Sequence, residues 1–399
     1  MAENENILSL PIAPLRLLVM ESAAALGEKI NEQLYRFRKT EHPMLSADPA
    51  FHDYLREDYR LRYHVDRSPA GEVHARLHES ARGRDVFLLT DVMNHSITYP
   101  FHGGFNYMSP DDHYADLKRM IGALSGKARR VTVIMPFLYE GRQHKRNFRE
   151  SLDCAVMIRE LTKMGVENFI TFDAHDPRVL NASPLRGFDS FNASYQFLKA
   201  LLYNFDDLIV DKEHLTVISP DEGALDRAVY FADVLGADTG MFYKRRDYSR
   251  IEGGKNPIVA HEYLGETVRN KDVIVIDDMI SSGASMIDTA EQLKGMGARR
   301  VFLCATFGLF TDGFQIFDDA YAQGKFDRVI TTNLTWQDPS LKERAWFIEA
   351  DMSRFIAMII DFINHNDSIT GVMTPTDRIH EFVRKYNEGA NAKDVIPDR

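Results

Sequence analysis

The sequence is poor in cysteine and in net positive charge. Only two of its 399 residues are cysteines, Cys154 and Cys304, and each lies in an apolar segment. Two thiols cannot form a disulfide framework or a zinc cluster, so we expect both to be buried and reduced. The formal net charge of −11 argues against nucleic acid and anionic membranes as partners, because both attract basic surfaces.

Membrane and targeting signals are also missing. The N-terminal MAENENILSL is acidic and has no basic segment before an apolar stretch, so no signal peptide is predicted. The apolar segment FIAMIIDFI is interrupted by Asp361 and is too short to cross a bilayer. We therefore expect a cytoplasmic protein that binds neither membrane nor nucleic acid. The phosphate-binding pattern GxxxxGK[ST] and the dinucleotide pattern GxGxxG are absent as well.

Short apolar segments alternate with amphipathic ones along most of the chain. This alternation predicts βαβ units, and therefore an α/β protein with mostly parallel sheets. Helices are predicted over Glu150–Met164 and Met286–Met296, where a glycine follows each apolar stripe. The predicted strands are Asp85–Leu89, Arg130–Met135, Phe169–Phe172, Leu215–Ile218, Gly240–Tyr243, Asp272–Ile276, Arg300–Ala305 and Arg328–Thr331.

Two segments of the chain echo each other. Residues 120–137 (MIGALSGKARRVTVIMPF) and 292–307 (QLKGMGARRVFLCATF) both run from a helix end through a glycine and a basic pair into a strand. Duplication of one α/β domain explains the echo, but so does the frequency of helix–glycine–strand joints in α/β proteins. Residues 47–72, 94–112 and 248–268 lack a regular pattern and predict loops, and the Gly-rich SRIEGGKNP in the last predicts a mobile segment.

The most informative stretch is DVIVIDDMISSGAS, residues 272–285. Its predicted strand ends just before two acids, at the edge where open α/β sheets bind ligands. Two carboxylates can accept hydrogen bonds from the vicinal hydroxyls of a ribose. The small residues after them enter a helix, whose N-terminal N–H groups bind phosphate. The stretch therefore predicts a ribose 5-phosphate site formed by Asp277, Asp278, Ser281, Ser282, Gly283, Ala284 and Ser285.

This stretch resembles the phosphoribosyl-diphosphate (PRPP) motif of the type I phosphoribosyltransferase fold, which transferases and PRPP synthetases both carry. Four further segments resemble PRPP synthetases, or ribose-phosphate pyrophosphokinases, in the same order along the chain. They are RRVTVIMPFLYEGRQHKR (129–146), NFITFDAHD (168–176), VISPDEGALDRA (217–228) and FYKRRDY (242–248). The resemblance extends over about residues 17–370.

The resemblance implies a fold and a reaction. The reaction is the transfer of the diphosphoryl group of ATP to the anomeric hydroxyl of ribose 5-phosphate, giving PRPP and AMP. The fold is two tandem phosphoribosyltransferase-like, Rossmann-like domains, at residues 1–195 and 196–345. Residues 346–399 then form a helix near Met352–Asn364, which packs back on the first domain, and a polar tail. Mg²⁺ is the implied cofactor, and a homo-oligomer, a dimer or a hexamer, is the implied assembly.

The resemblance also assigns roles to residues. Lys244 and Arg246 match the catalytic basic pair of a flexible loop, and His175 matches a histidine that serves the metal–ATP site and catalysis. Asp221 joins the ribose 5-phosphate site, and His175 and Asp221 are the implied metal ligands. The implied ATP site, between the two domains, consists of Glu72, Arg142, Gln143 and His175.

Several positions depart from the family pattern. Ser281 stands where many PRPP synthetases have an acid, and Ser68 stands where they have an aromatic residue that stacks on adenine. One extra residue separates Tyr139 from Arg142, and the segment 94–112 is longer than usual. Two alternatives therefore stay open. Ser281 favours a phosphoribosyltransferase that consumes PRPP, and the missing aromatic residue favours a non-catalytic regulatory relative.

Overall fold

The chain folds into two compact units, seen in a computed structural model that describes residues 9–146, 148–246, 258–370 and 376–389. Of residues 244–246 and 258–261 only the backbone is described. The first unit comprises Met1–Asn192, Leu334–Trp336 and Asp351–Thr374. The second unit comprises Ala193–Asn333, Gln337–Ala350 and Pro375–Arg399.

Strands and helices alternate in both units. The strands of the first unit are β1 (Leu15–Val19), β2 (Tyr63–Arg67), β3 (Val73–Leu77), β4 (Asp85–Leu89), β5 (Thr98–Phe101), β6 (Gly104–Tyr107), β7 (Arg130–Ile134), β8 (Asn168–Phe172) and β9 (Gly187–Phe191). Those of the second are β10 (Leu215–Ser219), β11 (Asp238–Arg246), β12 (Ile258–Leu264), β13 (Asp272–Ile280), β14 (Arg300–Gly308), β15 (Arg328–Thr332) and β16 (Phe347–Ala350). The α-helices are α1 (Ala24–Glu41), α2 (Pro43–Ala47), α3 (Pro110–Leu124), α4 (Asp153–Lys163), α5 (Ser194–Asn204), α6 (Leu225–Leu235), α7 (Ala284–Gly295), α8 (Gln315–Ala322), α9 (Ser353–Asn364) and α10 (Thr376–Asn387).

The sheet of the first unit has the order β1-β4-β7-β8-β9, and its strands are all parallel. β4 is buried along its whole length, as expected inside a parallel sheet. The first unit also has two antiparallel hairpins, β2–β3 and β5–β6; β2, β5 and β6 lie in segments that the sequence predicted to be loops. That prediction was wrong because these strands are half-exposed or, in β6, fully exposed and carry polar side chains, so their apolar alternation is weak.

The sheet of the second unit has the order β12-β11-β10-β13-β14-β15-β16, and only β12 runs antiparallel to its neighbour. β10 is followed in the chain by β11 on one side, whereas β13, β14 and β15 follow one another on the other side. The direction of the connections therefore reverses between β10 and β13. Such a switch point leaves a crevice at the carboxyl ends of the two strands. The predicted α/β class with mostly parallel sheets is confirmed.

β13 is longer than the sequence predicted. The predicted strand ended at Ile276, but β13 continues through both acids to Ile280. Its neighbour β14 is equally long and stays paired with it as far as the Ile280 and Gly308 partners. The Ile280 carbonyl then accepts the N–H of Leu309 at 2.9 Å. The two acids were assigned outside the strand because carboxylates are rare in strands; the backbone partners supplied by β14 outweigh that preference.

The C-terminal helices belong to different units. The helix predicted near Met352–Asn364 is α9, which is part of the first unit. α10 lies in the segment predicted to be a polar tail, and it belongs to the second unit, where the Tyr386 hydroxyl donates to the Phe205 carbonyl at 2.8 Å. Among the residues that the structure describes, no helix combines the length and the apolar character needed to cross a membrane.

The two cysteines are buried, as predicted. Cys154 and Cys304 are both fully buried, and neither forms a disulfide. Burial raises the pKa of the Cys154 thiol to about 12. The thiol groups therefore stay protonated and serve as core side chains.

Candidate functional site

The switch point of the second unit gathers three acids. Asp221 follows β10 and begins a helical turn, where its Oδ1 accepts the N–H of Gly223 at 3.0 Å. Asp277 and Asp278 lie in the adjacent strand β13, and the Asp277 Oδ1 accepts the N–H of Asp278 at 2.8 Å. Because β10 and β13 are parallel neighbours, their carboxyl ends meet at one edge of the sheet.

These acids influence one another's charge. Burial is the main cause that raises the pKa of Asp277 well above its ordinary value, and the Asp278 and Asp221 carboxylates add to it. Arg227 on α6 opposes this rise, since its Nη1 lies 3.8 Å from the Asp277 Oδ1. The acids thus form a negative site that a divalent cation or hydroxyl donors can stabilise. The sequence analysis missed Arg227, although it lies in the quoted segment VISPDEGALDRA.

Ser281 begins the short connection from β13 to α7. Its carbonyl accepts the N–H of Thr311 at 3.0 Å, and the two hydroxyl oxygens lie 3.5 Å apart. The start of this turn is therefore held against the loop after β14.

Gly283 completes the turn and is the residue before α7. Its φ of 90° is a left-handed conformation, and a Cβ at this position would lie 2.1 Å from the Phe317 ring. Both the backbone angle and the packing therefore require glycine here. Ala284 and Ser285 begin the helix and are exposed. The first N–H groups of a helix have no acceptor within the helix, so this end of α7 can receive an anion.

The predicted basic pair lies in a strand. Lys244 and Arg246 belong to β11, where their backbones are paired with those of His261 and Ile258 in β12. Their side chains are not among the parts that the structure describes. The predicted mobile segment SRIEGGKNP, residues 249–257, also lies outside the described residues.

In the first unit, Arg142 and Gln143 occupy a tight turn after β7. The Gly141 N–H donates to the Leu138 carbonyl at 2.9 Å, and the Gln143 N–H donates to the Glu140 carbonyl at 2.8 Å. Glu140 adopts a positive φ of 53° within this turn. The turn leaves the side chains of Arg142 and Gln143 exposed, and both can reach a ligand.

His175 lies in the loop after β8, the strand next to β7. Its side chain is exposed, whereas the carboxylates of Asp173 and Asp176 on either side are buried. Asp176 accepts the N–H of Arg178 at 2.9 Å and its Nε at 2.8 Å. The side-chain bonds from Arg178 are the main reason that the pKa of Asp176 falls to about 2. Asp176 is therefore a fixed, ionised group beside an accessible imidazole.

His144 joins the turn and the loop, and the sequence analysis did not single it out. Its Nε2 lies 3.2 Å from the Asp176 Oδ2. Its ring centroid lies 5.5 Å from that of His175, with 53° between the ring planes. His144 follows Gln143 directly, so its contacts bring the turn of Arg142 and Gln143 next to the loop of His175.

Glu72 lies on the β2–β3 hairpin, between the two strands. It is exposed, and its N–H donates to the Ser68 Oγ at 3.2 Å while its carbonyl accepts the Ser68 N–H at 2.8 Å. The two positions at which the family resemblance places adenine contacts therefore lie in one hairpin turn.

A cavity in the first unit does not coincide with any of these residues. It has a volume of about 870 Å³ and is lined by residues that include Met20, Tyr63, Arg67, Tyr99 and Asp116. None of the residues predicted from the sequence to bind substrate lines it. We therefore locate the functional site from the chemistry of its residues and not from the volume of this cavity.

One further cluster has the residue types of a metal site. His42, Asp361 and His365 bring three potential ligand atoms within 4.8 Å of one another. The cluster is already satisfied, however, because the Arg38 Nε lies 2.6 Å from the Asp361 Oδ1, and the His365 Nε2 lies 3.1 Å from the Tyr54 hydroxyl. A cation would have to break these bonds beside a buried guanidinium. We interpret the cluster as an ion network that holds α9 on α1.

The fold and the acid-lined switch point define the class: proteins with two α/β units, of which one has a phosphoribosyltransferase-type sugar-phosphate site. Comparison with protein families agrees with this class. Residues 15–165 match the family model of the N-terminal domain of ribose phosphate pyrophosphokinase. Residues 189–333 match the family model of the phosphoribosyl transferase domain.

Individual relatives identify the family. The ribose-phosphate pyrophosphokinase of Streptomyces coelicolor is 31% identical over 244 residues, which cover 60% of this chain and 67% of that protein. The ribose-phosphate pyrophosphokinase of Shewanella oneidensis is 27% identical over 315 residues, 78% of this chain and 90% of that protein. The chain belongs to the ribose-phosphate pyrophosphokinase family.

A solved structure shows the same fold. The crystal structure of phosphoribosylpyrophosphate synthetase from Mycobacterium smegmatis superimposes with a TM-score of 0.67 at 21% sequence identity, covering 88% of this chain and 99% of that chain. The two tandem phosphoribosyltransferase-like units expected from the sequence are therefore confirmed.

Proposed function

We propose that the protein is a ribose-phosphate diphosphokinase. It transfers the diphosphoryl group of ATP to the anomeric hydroxyl of ribose 5-phosphate and releases PRPP and AMP. The observation that carries the proposal is the switch point of the second unit, where paired acids precede a glycine turn and a helix N-terminus. Membership of the ribose-phosphate pyrophosphokinase family supports the reaction.

The second unit is proposed to bind ribose 5-phosphate. The phosphate of this sugar would contact residues 281–285 and accept hydrogen bonds from the first N–H groups of α7. The ribose hydroxyls would donate to Asp277 and Asp278. Arg227 favours the ionised form of Asp277, which is the form that accepts from two donors.

The first unit is proposed to bind the nucleotide. The guanidinium of Arg142 suits phosphate oxygens, and the amide of Gln143 can both donate and accept. Glu72 is kept as a proposed contact to adenine. The anomeric oxygen would attack the β-phosphorus, the bond from that phosphorus to the oxygen of the α-phosphate would break, and the hydroxyl proton would pass to solvent.

Mg²⁺ fits the acids of the second unit. Mg²⁺ prefers oxygen ligands and is held in enzymes by one or two carboxylates together with substrate phosphates. Asp221 offers such a carboxylate in the second unit, and His175 offers an accessible imidazole in the first. Bound to phosphate oxygens, Mg²⁺ would neutralise their charge. Lys244 and Arg246 are proposed to neutralise the charge of the diphosphoryl group during its transfer. The active form is proposed to be a homo-oligomer.

A direct assay tests the proposal. Purified protein is mixed with Mg²⁺, ATP and ribose 5-phosphate, and AMP and PRPP are followed by chromatography. We expect both products in equal amounts from the wild type, and a loss of both in the Lys244→Ala variant. The matched control is Lys212→Ala, which changes an exposed lysine of the same unit and should leave the rate unchanged. Equal AMP from wild type and Lys244→Ala would reject the proposal.

The same mixture distinguishes the alternatives. If the protein consumes PRPP in the presence of a nucleobase or an amine, the transferase is correct, and Ser281 is part of a transferase turn. If it neither makes nor consumes PRPP but binds ATP, the regulatory relative is correct.

A further inference from the structure

His144 lies between the two loops of the proposed nucleotide site. We propose that His144 is a positioning residue: through its contact with Asp176, it holds the Arg142–Gln143 turn against the loop of His175, so that both are presented to ATP together. The inference rests on the proposed function, because it takes Arg142, Gln143 and His175 as nucleotide-binding residues.

The first support is the direction of the side chains. Arg142 and Gln143 are exposed, whereas the side chain of the next residue, His144, is only 13% exposed. The backbone therefore sends two side chains outward and one inward. The inward one lies with its Nε2 3.2 Å from the Asp176 Oδ2, which is an ion-pair distance between an imidazole and a buried carboxylate.

The second support is that the acceptor is itself fixed. Asp176 accepts the N–H of Arg178 with Oδ1, and the Arg178 guanidinium donates to both of its carboxylate oxygens. Its side chain is 8% exposed. Contact with a buried carboxylate that already has several hydrogen bonds restricts the position of His144, so His144 anchors its own turn to the β8 loop. His175 is the neighbour of Asp176 in the chain and follows its position.

The third support is an unpaired atom. Within the described ranges of the chain, the His144 Nδ1 is buried and has no hydrogen-bond partner. An ionised carboxylate only accepts, so the Nε2 that faces Asp176 is the nitrogen suited to donate. A buried polar atom without a partner costs about 1–3 kcal/mol. A side chain without a buried polar atom could fill this position and avoid that cost. The presence of an imidazole here therefore favours a functional role.

Two amides of different reach test the proposal. The amide nitrogen of Gln can occupy the place of the His Nε2, whereas that of Asn reaches only the place of Nδ1. His144→Gln therefore keeps the bond to Asp176, and His144→Asn loses it with nearly the same chemistry. Binding of Mg²⁺ with α,β-methylene-ATP to the full chain is measured by calorimetry. We expect about 10-fold weaker binding for His144→Asn, corresponding to one lost bond to a charged group, and binding within about threefold of wild type for His144→Gln.

The readouts separate positioning from general damage. Binding of ribose 5-phosphate alone should be the same in wild type and both variants, because that site lies in the second unit. The proposal is overturned if His144→Asn binds the analogue as tightly as wild type, if Gln fails to restore binding, or if ribose 5-phosphate binding falls in parallel. Wild-type AMP formation is followed in the same preparations. A wild type that makes no AMP but binds the analogue in a His144-dependent way rejects the proposed function alone, and a wild type that makes AMP with no effect of His144→Asn on analogue binding rejects this inference alone.

Discussion

The central strand pairs of the two units begin alike and end differently. In the first unit, Arg130 at the start of β7 bonds Asp85 at the start of β4 through Nε at 2.9 Å and Nη2 at 2.7 Å. In the second, Arg300 at the start of β14 bonds Asp272 at the start of β13 through Nε at 2.9 Å and Nη2 at 2.8 Å. Each acid stands directly opposite its arginine in the register. This shared anchor favours duplication over coincidence as the source of the sequence echo.

The other ends of the same strands serve different purposes. Counted from these anchors, Asp91 is the counterpart of Asp278. Asp91 accepts the N–H of Met93 at 2.9 Å and that of Trp336 at 2.6 Å, so it holds loops in place. Asp278 instead lies beside Asp277 and before a short turn into α7. The comparison teaches that one strand position can serve structure or ligand binding, according to the connection that leaves the strand.

The anchors give the largest expected effect. Asp272→Asn leaves the guanidinium groups of Arg299 and Arg300 without their buried carboxylate, and Asp85→Asn does the same to Arg130. Removing one partner of a buried ion pair costs about 3–5 kcal/mol. We expect urea unfolding to show a loss of this size in both variants, larger for Asp272, which has two arginine partners. A loss below about 1 kcal/mol in either variant would contradict the anchor role.

The second largest effect is expected from substitutions at the carboxyl ends of β4 and β13. Asp278→Asn should lower kcat/KM for PRPP formation about 100-fold, since hydrogen bonds to a charged acceptor contribute about 1.5–3 kcal/mol. Asp91→Asn should leave kcat/KM within about threefold and lower stability instead. The assay is AMP release at saturating ATP with varied ribose 5-phosphate. Equal losses of activity in the two variants would show that the two positions do not differ in purpose.

Two glycines with positive φ sharpen the comparison further. Gly283→Ala places a methyl group against the Phe317 ring, so we expect a stability loss of about 1–3 kcal/mol and weaker binding of ribose 5-phosphate. Gly126, between α3 and β7, also has a positive φ, but its Cβ would meet nothing within 4 Å. Gly126→Ala should cost about 1 kcal/mol and leave sugar binding unchanged. Calorimetry measures the binding of ribose 5-phosphate to both variants. Unchanged binding by Gly283→Ala would contradict the proposal that residues 281–285 bind the phosphate.

Asp91 also predicts a pH dependence of stability. Burial is the main cause that raises the pKa of Asp91 to about 7 in the folded chain, against about 3.9 when unfolded. The folded state therefore binds a proton that the unfolded state does not, so this stabilisation is complete below about pH 4 and is lost as the pH rises through 7. Asp91→Asn should flatten the fall in stability between pH 4 and 7, by at most about 1.4 kcal/mol per pH unit. If the urea midpoints of wild type and variant change with pH in the same way, this prediction is wrong.

Local patterns allowed much of this to be predicted. All eight predicted strands correspond to strands of the structure, because buried parallel strands are short apolar runs. The hairpins β2–β3 and β5–β6 were missed because their strands lie at the surface, where sequence alternation is weak. The β5–β6 turn at His102 and Gly103 has φ values of 46° and 83°, a typical hairpin turn. Its His-Gly pair is a weaker signal than Asn-Gly, and it went unrecognised.

The sequence by itself determined the α/β class and the acids, hydroxyls and glycine of the sugar-phosphate site, because these residues form one contiguous run with its own chemistry. Only the tertiary structure decided that His144 meets Asp176, that Arg227 faces Asp277 and that Asp91 receives the N–H of Trp336. His144 and Asp176 follow the neighbouring strands β7 and β8, and Arg227 lies on the helix after β10, the strand next to that of Asp277. Such residues meet because parallel strands align their ends at one edge of a sheet. A single sequence has no periodic pattern for such pairs, so their partners are set by strand order and register alone.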